Sequence, residues 1–189
     1  MFEFITLKMI YIALHVFGVV FGAGAAFMSD IIFLSSIKDR ALSSAEIRIL
    51  SILSKIVWLG LGILVLSGIL LFSLDPVMYA ASTKFLAKMT IVGALILNGV
   101  IFHRIHLPLI KGTENKVLTG HDQFLKGSSL LVISGAISVV SWSFAIFFGI
   151  LRSIPYSYIT IMLVYLGVVL CAIGAALIMK KKFFDRVRV

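Results

Sequence analysis

The chain has 189 residues, of which 61% are hydrophobic and 13% charged, with a mean hydropathy of +1.15. Soluble domains are about 45–50% apolar and about 25% charged, so the composition excludes a soluble fold and indicates a polytopic membrane protein. The net charge of +9 then reflects Lys and Arg gathered in cytoplasmic loops, not a nucleic-acid partner.

A single cysteine, Cys171, stands in the chain. It rules out an intrachain disulfide, a CxxC redox pair and an iron–sulfur site built by this chain alone. There is no Walker loop, no HExxH and no Ser-His-Asp set, so hydrolase and ATPase chemistry lack support.

Five apolar runs follow one another at about 5–34, 49–74, 85–110, 128–151 and 156–179. Each supplies the roughly 20 residues a bilayer span needs. Backbone polar groups must be satisfied inside the bilayer, so the expected fold is all-α. It is one antiparallel bundle of five transmembrane helices over residues 1–189. The first run stays apolar through Met28, longer than the core of a cleaved signal peptide, and is read as a retained span.

The first run carries His15 in a stretch without charge from Met9 to Ser29. Ionisable side chains at bilayer depth are costly and usually face a partner or a cavity. Gly18 and Gly22 are three and seven residues on, sharing the helical face of His15. A strip without side chains beside a histidine suits a large flat ligand or a close neighbouring helix. Asp30, near the far end of this run, is expected to pair with Lys55 or Arg48. Ser43 or Ser44 caps the second run, and Asp75-Pro76 ends it.

The third run places Lys84, Lys88, Leu95, Phe102 and His106 in one narrow helical sector, with Asn98 at its edge. Its lysines either snorkel outward or serve the bundle interior. His103 and His106 are three apart and suit a shared metal ion or ligand. His121, in the polar loop that follows, reads as solvated. Span centres near residues 19 and 99 put His15 and His103 at depths differing by roughly 12 Å. A haem held between those two histidines therefore requires substantial tilt, and a single-histidine site is easier. The last two runs carry small residues, among them Ser134, Gly135, Ser138, Gly167 and Gly174, that suit close helix contacts.

Sidedness follows from the cations. With five spans, the loops after the first and third helices share a side with the C-terminal tail. That side holds Lys38, Arg40, Arg48, Lys55, Arg104, Lys111, Lys116, Lys126, Lys180, Lys181, Lys182, Arg186 and Arg188. The other side holds Lys8, Lys84, Lys88 and Arg152. Thirteen against four, by those two sets, predicts the N-terminus outside and the C-terminus in the cytoplasm.

Leu14-His15 followed by glycines, Lys55 followed by Ser67-Gly68, and Ala87-Lys88-Met89 followed by His103-Arg104 and Leu107-Pro108 form a further pattern. Over roughly residues 10–110 it resembles the bacterial copper-resistance D (CopD) family. It is also similar to the HemJ-type haem-binding membrane proteins, which carry a first-helix histidine on haem b and a lysine opening a later helix. His103 stands where the copper family usually has Asn.

The resemblance implies a bacterial inner-membrane protein in a lipid bilayer. It implies haem b on His15, with Gly18 and Gly22 making room and Lys88 facing a propionate; Asn98 joins the cofactor-binding set. The function would be electron transfer, in a membrane oxidoreductase with a membrane or periplasmic redox partner. The alternative is copper transport or handling through His15, His103 and His106. A further alternative is a non-catalytic assembly partner in which His15 only packs helices. Self-association into a homo-oligomer is compatible with each reading.

Overall fold

A computed structural model describes residues 6–39, 42–112, 122–151 and 154–185. Helix α1 spans Leu7–Asp39, α2 Ser44–Leu74, α3 Pro76–Ala80 and α4 Thr83–Ile101. A π-helical turn over Phe102–His106 leads into α5, Leu107–Lys111; α6 covers Asp122–Ile150 and α7 Tyr158–Asp185. Five helical stretches are long and apolar enough to cross a membrane, among the described residues: Leu7–Ser36, Ser44–Leu74, Thr83–Lys111, Ser128–Ile150 and Tyr158–Lys182. Even the shortest, at 23 residues, reaches roughly 35 Å, enough for a hydrocarbon core of about 30 Å. His121 lies outside the described residues.

The start of α2 shows how short polar motifs fix the helix ends. Ser43 is the cap. Its hydroxyl accepts from the Glu46 backbone N–H (3.2 Å), while Glu46 Oε2 accepts from the Ser43 N–H (2.8 Å). This reciprocal capping box satisfies two donors that the first turn leaves free. The other oxygen of Glu46 accepts from the hydroxyl of buried Ser36 at 2.7 Å, tying the end of α1 to the start of α2. Asp75 then closes α2 and opens α3, accepting from the Met78 N–H at 3.1 Å. Pro76 follows at the first helical position, where a missing N–H costs nothing.

Helices α1 and α2 form the closest pair, and α6 runs through the middle of the bundle against α1, α4 and α7. The α1–α2 seam is made of glycine. A Cβ added to Gly18 would stand 2.6 Å from the Leu64 backbone N and 2.9 Å from the Gly60 carbonyl oxygen. Gly60 in turn abuts the Gly22 backbone, and Gly22 also receives the Trp142 ring of α6, whose Cζ2 would lie 2.8 Å from an added Cβ. Backbones this close gain dispersion contacts, which, with polar contacts, must hold helices together where no hydrophobic drive exists between them.

Around that seam Ala23, Ala26, Leu61, Leu64, Leu95 and Trp142 are buried. A second cluster joins α4, α6 and α7 through Ala87, Ile91, Phe148, Ile161 and Tyr165. Long apolar side chains such as Leu66, Leu97, Leu163 and Leu170 are exposed on the outside. An apolar exterior of this kind suits lipid and no aqueous setting.

The π-turn has an identifiable cause. Pro108 lacks an N–H, and in an α-helix its ring would crowd the carbonyl four residues back. One extra residue in the turn relieves that crowding: the Leu107 N–H reaches the Phe102 carbonyl, five residues away.

Candidate functional site

His15 of α1 faces α2, and its Nδ1 lies 3.0 Å from the Ser67 hydroxyl oxygen. The Ser67 proton is directed elsewhere, since its Oγ donates to the Ile63 carbonyl (2.6 Å) and stands 3.1 Å from the Leu64 carbonyl. Serines in helices commonly make this bond to the preceding turn. With that proton engaged, the shared bond to His15 requires a hydrogen on Nδ1. The imidazole is thereby assigned to the tautomer with Nδ1–H, leaving the Nε2 lone pair free. The ring also hydrogen-bonds to the Leu64 backbone.

Gly68 adjoins the same ring; a Cβ there would sit 3.7 Å from His15 Cε1, an ordinary contact. Of the two uses foreseen for the glycine strip, the close neighbouring helix is what occupies it. Gly18 meets the α2 backbone and Gly22 meets Gly60 and Trp142. Their smallness draws α2 inward until Ser67 reaches His15.

The two lysines of α4 behave differently. Lys84 donates to the Leu151 carbonyl just beyond the end of α6, where helix carbonyls lack partners and a cation is favoured. Lys88, one turn deeper and half-buried, makes no hydrogen bond or ion pair with a described residue. It stands within Coulombic reach of His15. The site at the N-terminal end of α1 thus comprises an imidazole held by α2 and an unpaired amine nearby.

His103 and His106 are far from it. From Lys88 to His103 is fifteen residues, roughly 22 Å along the helix at 1.5 Å each. The π-turn also separates the two histidines from one another: His103 is exposed, whereas His106 is 1% exposed. The His106 ring stacks edge-on to Phe102 at 6.0 Å, and neither of its nitrogens finds a hydrogen bond among the described residues. His15, His103 and His106 therefore do not converge, and no group of three His, Cys, Asp or Glu side chains gathers among the described residues.

Asn98 belongs to a different polar locus. Its Nδ2 donates to the Ser134 carbonyl (3.1 Å), and the Ser134 hydroxyl donates back to its Oδ1 (2.7 Å), fastening α4 to α6. Both residues border a cavity of about 70 Å³ lined mainly by α1, α2, α4 and α6, with Phe102 and Ile110 beside them. Asp30 borders it too. The expected salt bridge to Lys55 or Arg48 is absent: Lys55 and Arg48 are exposed, and Asp30 Oδ2 is sealed from solvent without a partner among the described residues. Sequence reasoning gave Asp30 the default of an ion pair. The signal pointing elsewhere is Gly135, which leaves its carboxyl room, a Cβ there falling 3.3 Å from Oδ1.

The bundle thus holds two separate polar loci, one around His15 at the α1 N-terminal end and one around Asp30 towards its C-terminal end. Compared with protein-family models, curated proteins and solved structures, the chain matches none.

Proposed function

We propose that the chain is a membrane redox protein of the b-type haem kind, in which His15 supplies a single axial ligand through Nε2. The observation that carries this reading is the His15–Ser67 hydrogen bond. Ligating histidines typically donate their other ring N–H to an oxygen, which fixes the tautomer and raises ligand basicity. Ser67 does this for His15 within a packed helix pair. A haem would supply one-electron chemistry, its potential tuned by axial ligand, hydrogen bonding and burial. Lys88 is the cation available to a propionate on the same side of the bundle. Gly18 and Gly22 serve this reading indirectly, by setting the distance between α1 and Ser67, and Asn98 has no part in it.

The donor set fits one axial ligand, while the space beside Gly18 and Gly22 is filled by protein. His15 would hold the haem and Lys88 would face its propionate, with Gly18 and Gly22 left to the α1–α2 seam. The test is an absorption spectrum with metal analysis of protein purified in mild detergent. A Soret band that disappears in His15→Ala is expected. A spectrum without one, from protein expressed with ample haem, defeats the proposal, and copper recovered without haem would favour the copper reading.

One observation favours a second reading. The His15–Ser67 bond lies beside the tight Gly18–Gly60 crossing, so His15 also serves as a clasp between α1 and α2. As a non-catalytic assembly partner, the protein would purify without a cofactor, and His15→Ala would change only stability.

A further inference from the structure

We propose that the cavity beside Asp30 is a binding site for one monovalent metal cation of the sodium class. The site is independent of the haem reading and lies towards the opposite end of α1 from His15.

The first observation is the carboxyl itself. Asp30 carries a sealed, unpartnered Oδ2 and lines a cavity of about 70 Å³. Roughly 10–15 Å³ of such space admits one water, so there is room for an ion with a few waters. No Lys, Arg or His lines the cavity. An anionic oxygen in an apolar bundle without a counter-charge is costly, and a bound cation removes that cost.

The second observation is the behaviour of the serines. Ser51, Ser67, Ser73, Ser141 and Ser143 all turn their hydroxyls back onto carbonyls of their own helices. Ser29, Ser54 and Ser138, which border the cavity, do not, and their hydroxyls bond to no described residue. Ser54 is 5% exposed, so this hydroxyl lies within the bundle without the usual bond to its own helix. With Asn98, whose Oδ1 retains a free lone pair beyond its bond from Ser134, these serines and Asp30 make oxygen the donor element of the cavity lining.

The chemistry of the donors selects the ligand. Oxygen-only donors suit hard cations, and soft or borderline metals would call for sulfur or imidazole. A single carboxylate balances one positive charge. The walls come from α1, α2, α4 and α6, so an occupied site would brace four helices at once.

The experiment uses the full chain in lipid nanodiscs, with the unfolding midpoint followed as NaCl replaces choline chloride at constant ionic strength. The wild type should rise saturably, by about 5 °C or more once Na⁺ exceeds its Kd a hundredfold. Asp30→Asn removes the charge and keeps the shape. It should fold at least as stably as wild type in choline and show no response to Na⁺. Ser54→Ala should need about tenfold more Na⁺ for the same effect. A wild-type midpoint indifferent to Na⁺, or an Asp30→Asn variant that still responds, overturns the proposal. An infrared carboxylic-acid band lost in Asp30→Asn, with no Na⁺ response in wild type, would assign a proton to Asp30 and overturn it as well. The haem spectrum is read separately, so either result leaves the other interpretable.

Discussion

A hydrogen bond between two helices in a bilayer is a small quantity with a defined sign. Ser67 keeps its bond to the Ile63 carbonyl and still offers a lone pair to His15, so neither residue gives up a partner to form the pair. Interhelical side-chain bonds in membranes average about 0.6 kcal/mol and reach about 1.7. A double-mutant cycle of His15→Ala, Ser67→Ala and both together, measured by unfolding in mixed micelles, should give a coupling in that range. Additive single effects would mean that the 3.0 Å contact contributes nothing. If haem is bound, Ser67→Ala should keep the Soret band while weakening haem retention, since the ligand stays and only its orientation is lost. None of this pairing was legible in the sequence. Ser67 and Gly68 stand out in the sequence only within the resemblance pattern, because which face of α2 turns to α1 depends on the rotation of both helices.

At the scale of elements, glycines in one helix have opposite meanings. Gly18 lies on the α2 seam, where a Cβ would press on backbone that cannot swing aside, and Gly24 has nothing within 4 Å of an added Cβ. Gly18→Ala should therefore force α1 and α2 apart and cost about 1–3 kcal/mol, the range for overpacking. Gly24→Ala should be neutral or stabilising by up to about 1 kcal/mol, since alanine is the better helix former. The same unfolding assay compares them, and equal effects would show that the seam is not where the backbone places it. The helices themselves were legible. The five spans match their expected runs because a 20-residue apolar stretch has few alternatives. Their ends differ by a few residues where local chemistry decides. Helix α2 begins at Ser44 because Ser43 and Glu46 form a capping box. The α3 turn was missed as too short for any periodicity. The π-turn defeated the expectation of a shared face for His103 and His106, a reading that assumed 100° per residue throughout. Pro108 was the available signal.

For the whole molecule, the locations of charge carry more than the locations of hydrophobes. The apolar exterior is much the same around the bundle, but the cations are not evenly divided between its two ends. Arg48, Arg104 and Lys111 stand towards the end where α1 finishes and α2 begins, and Lys55 lies about three turns into α2, all of them exposed. Lys84 and Lys88 stand at the other end, where both are partly withdrawn from the surface and Lys84 is held by the Leu151 carbonyl. Topology is set by Lys and Arg near the ends of spans, which are retained on the cytoplasmic side. The two lysines of α4 are part of a helix and not presented in a loop, Lys84 bonded to the Leu151 carbonyl and Lys88 half-buried. A C-terminal fluorescent-protein fusion, which matures only in the cytoplasm, should fluoresce in a bacterial host. An alkaline phosphatase fusion at the same point, active only outside, should remain silent. The reverse result would place His15 in the inner half of the membrane and Asp30 near the outer surface, exchanging the sides from which a redox partner and a cation would approach.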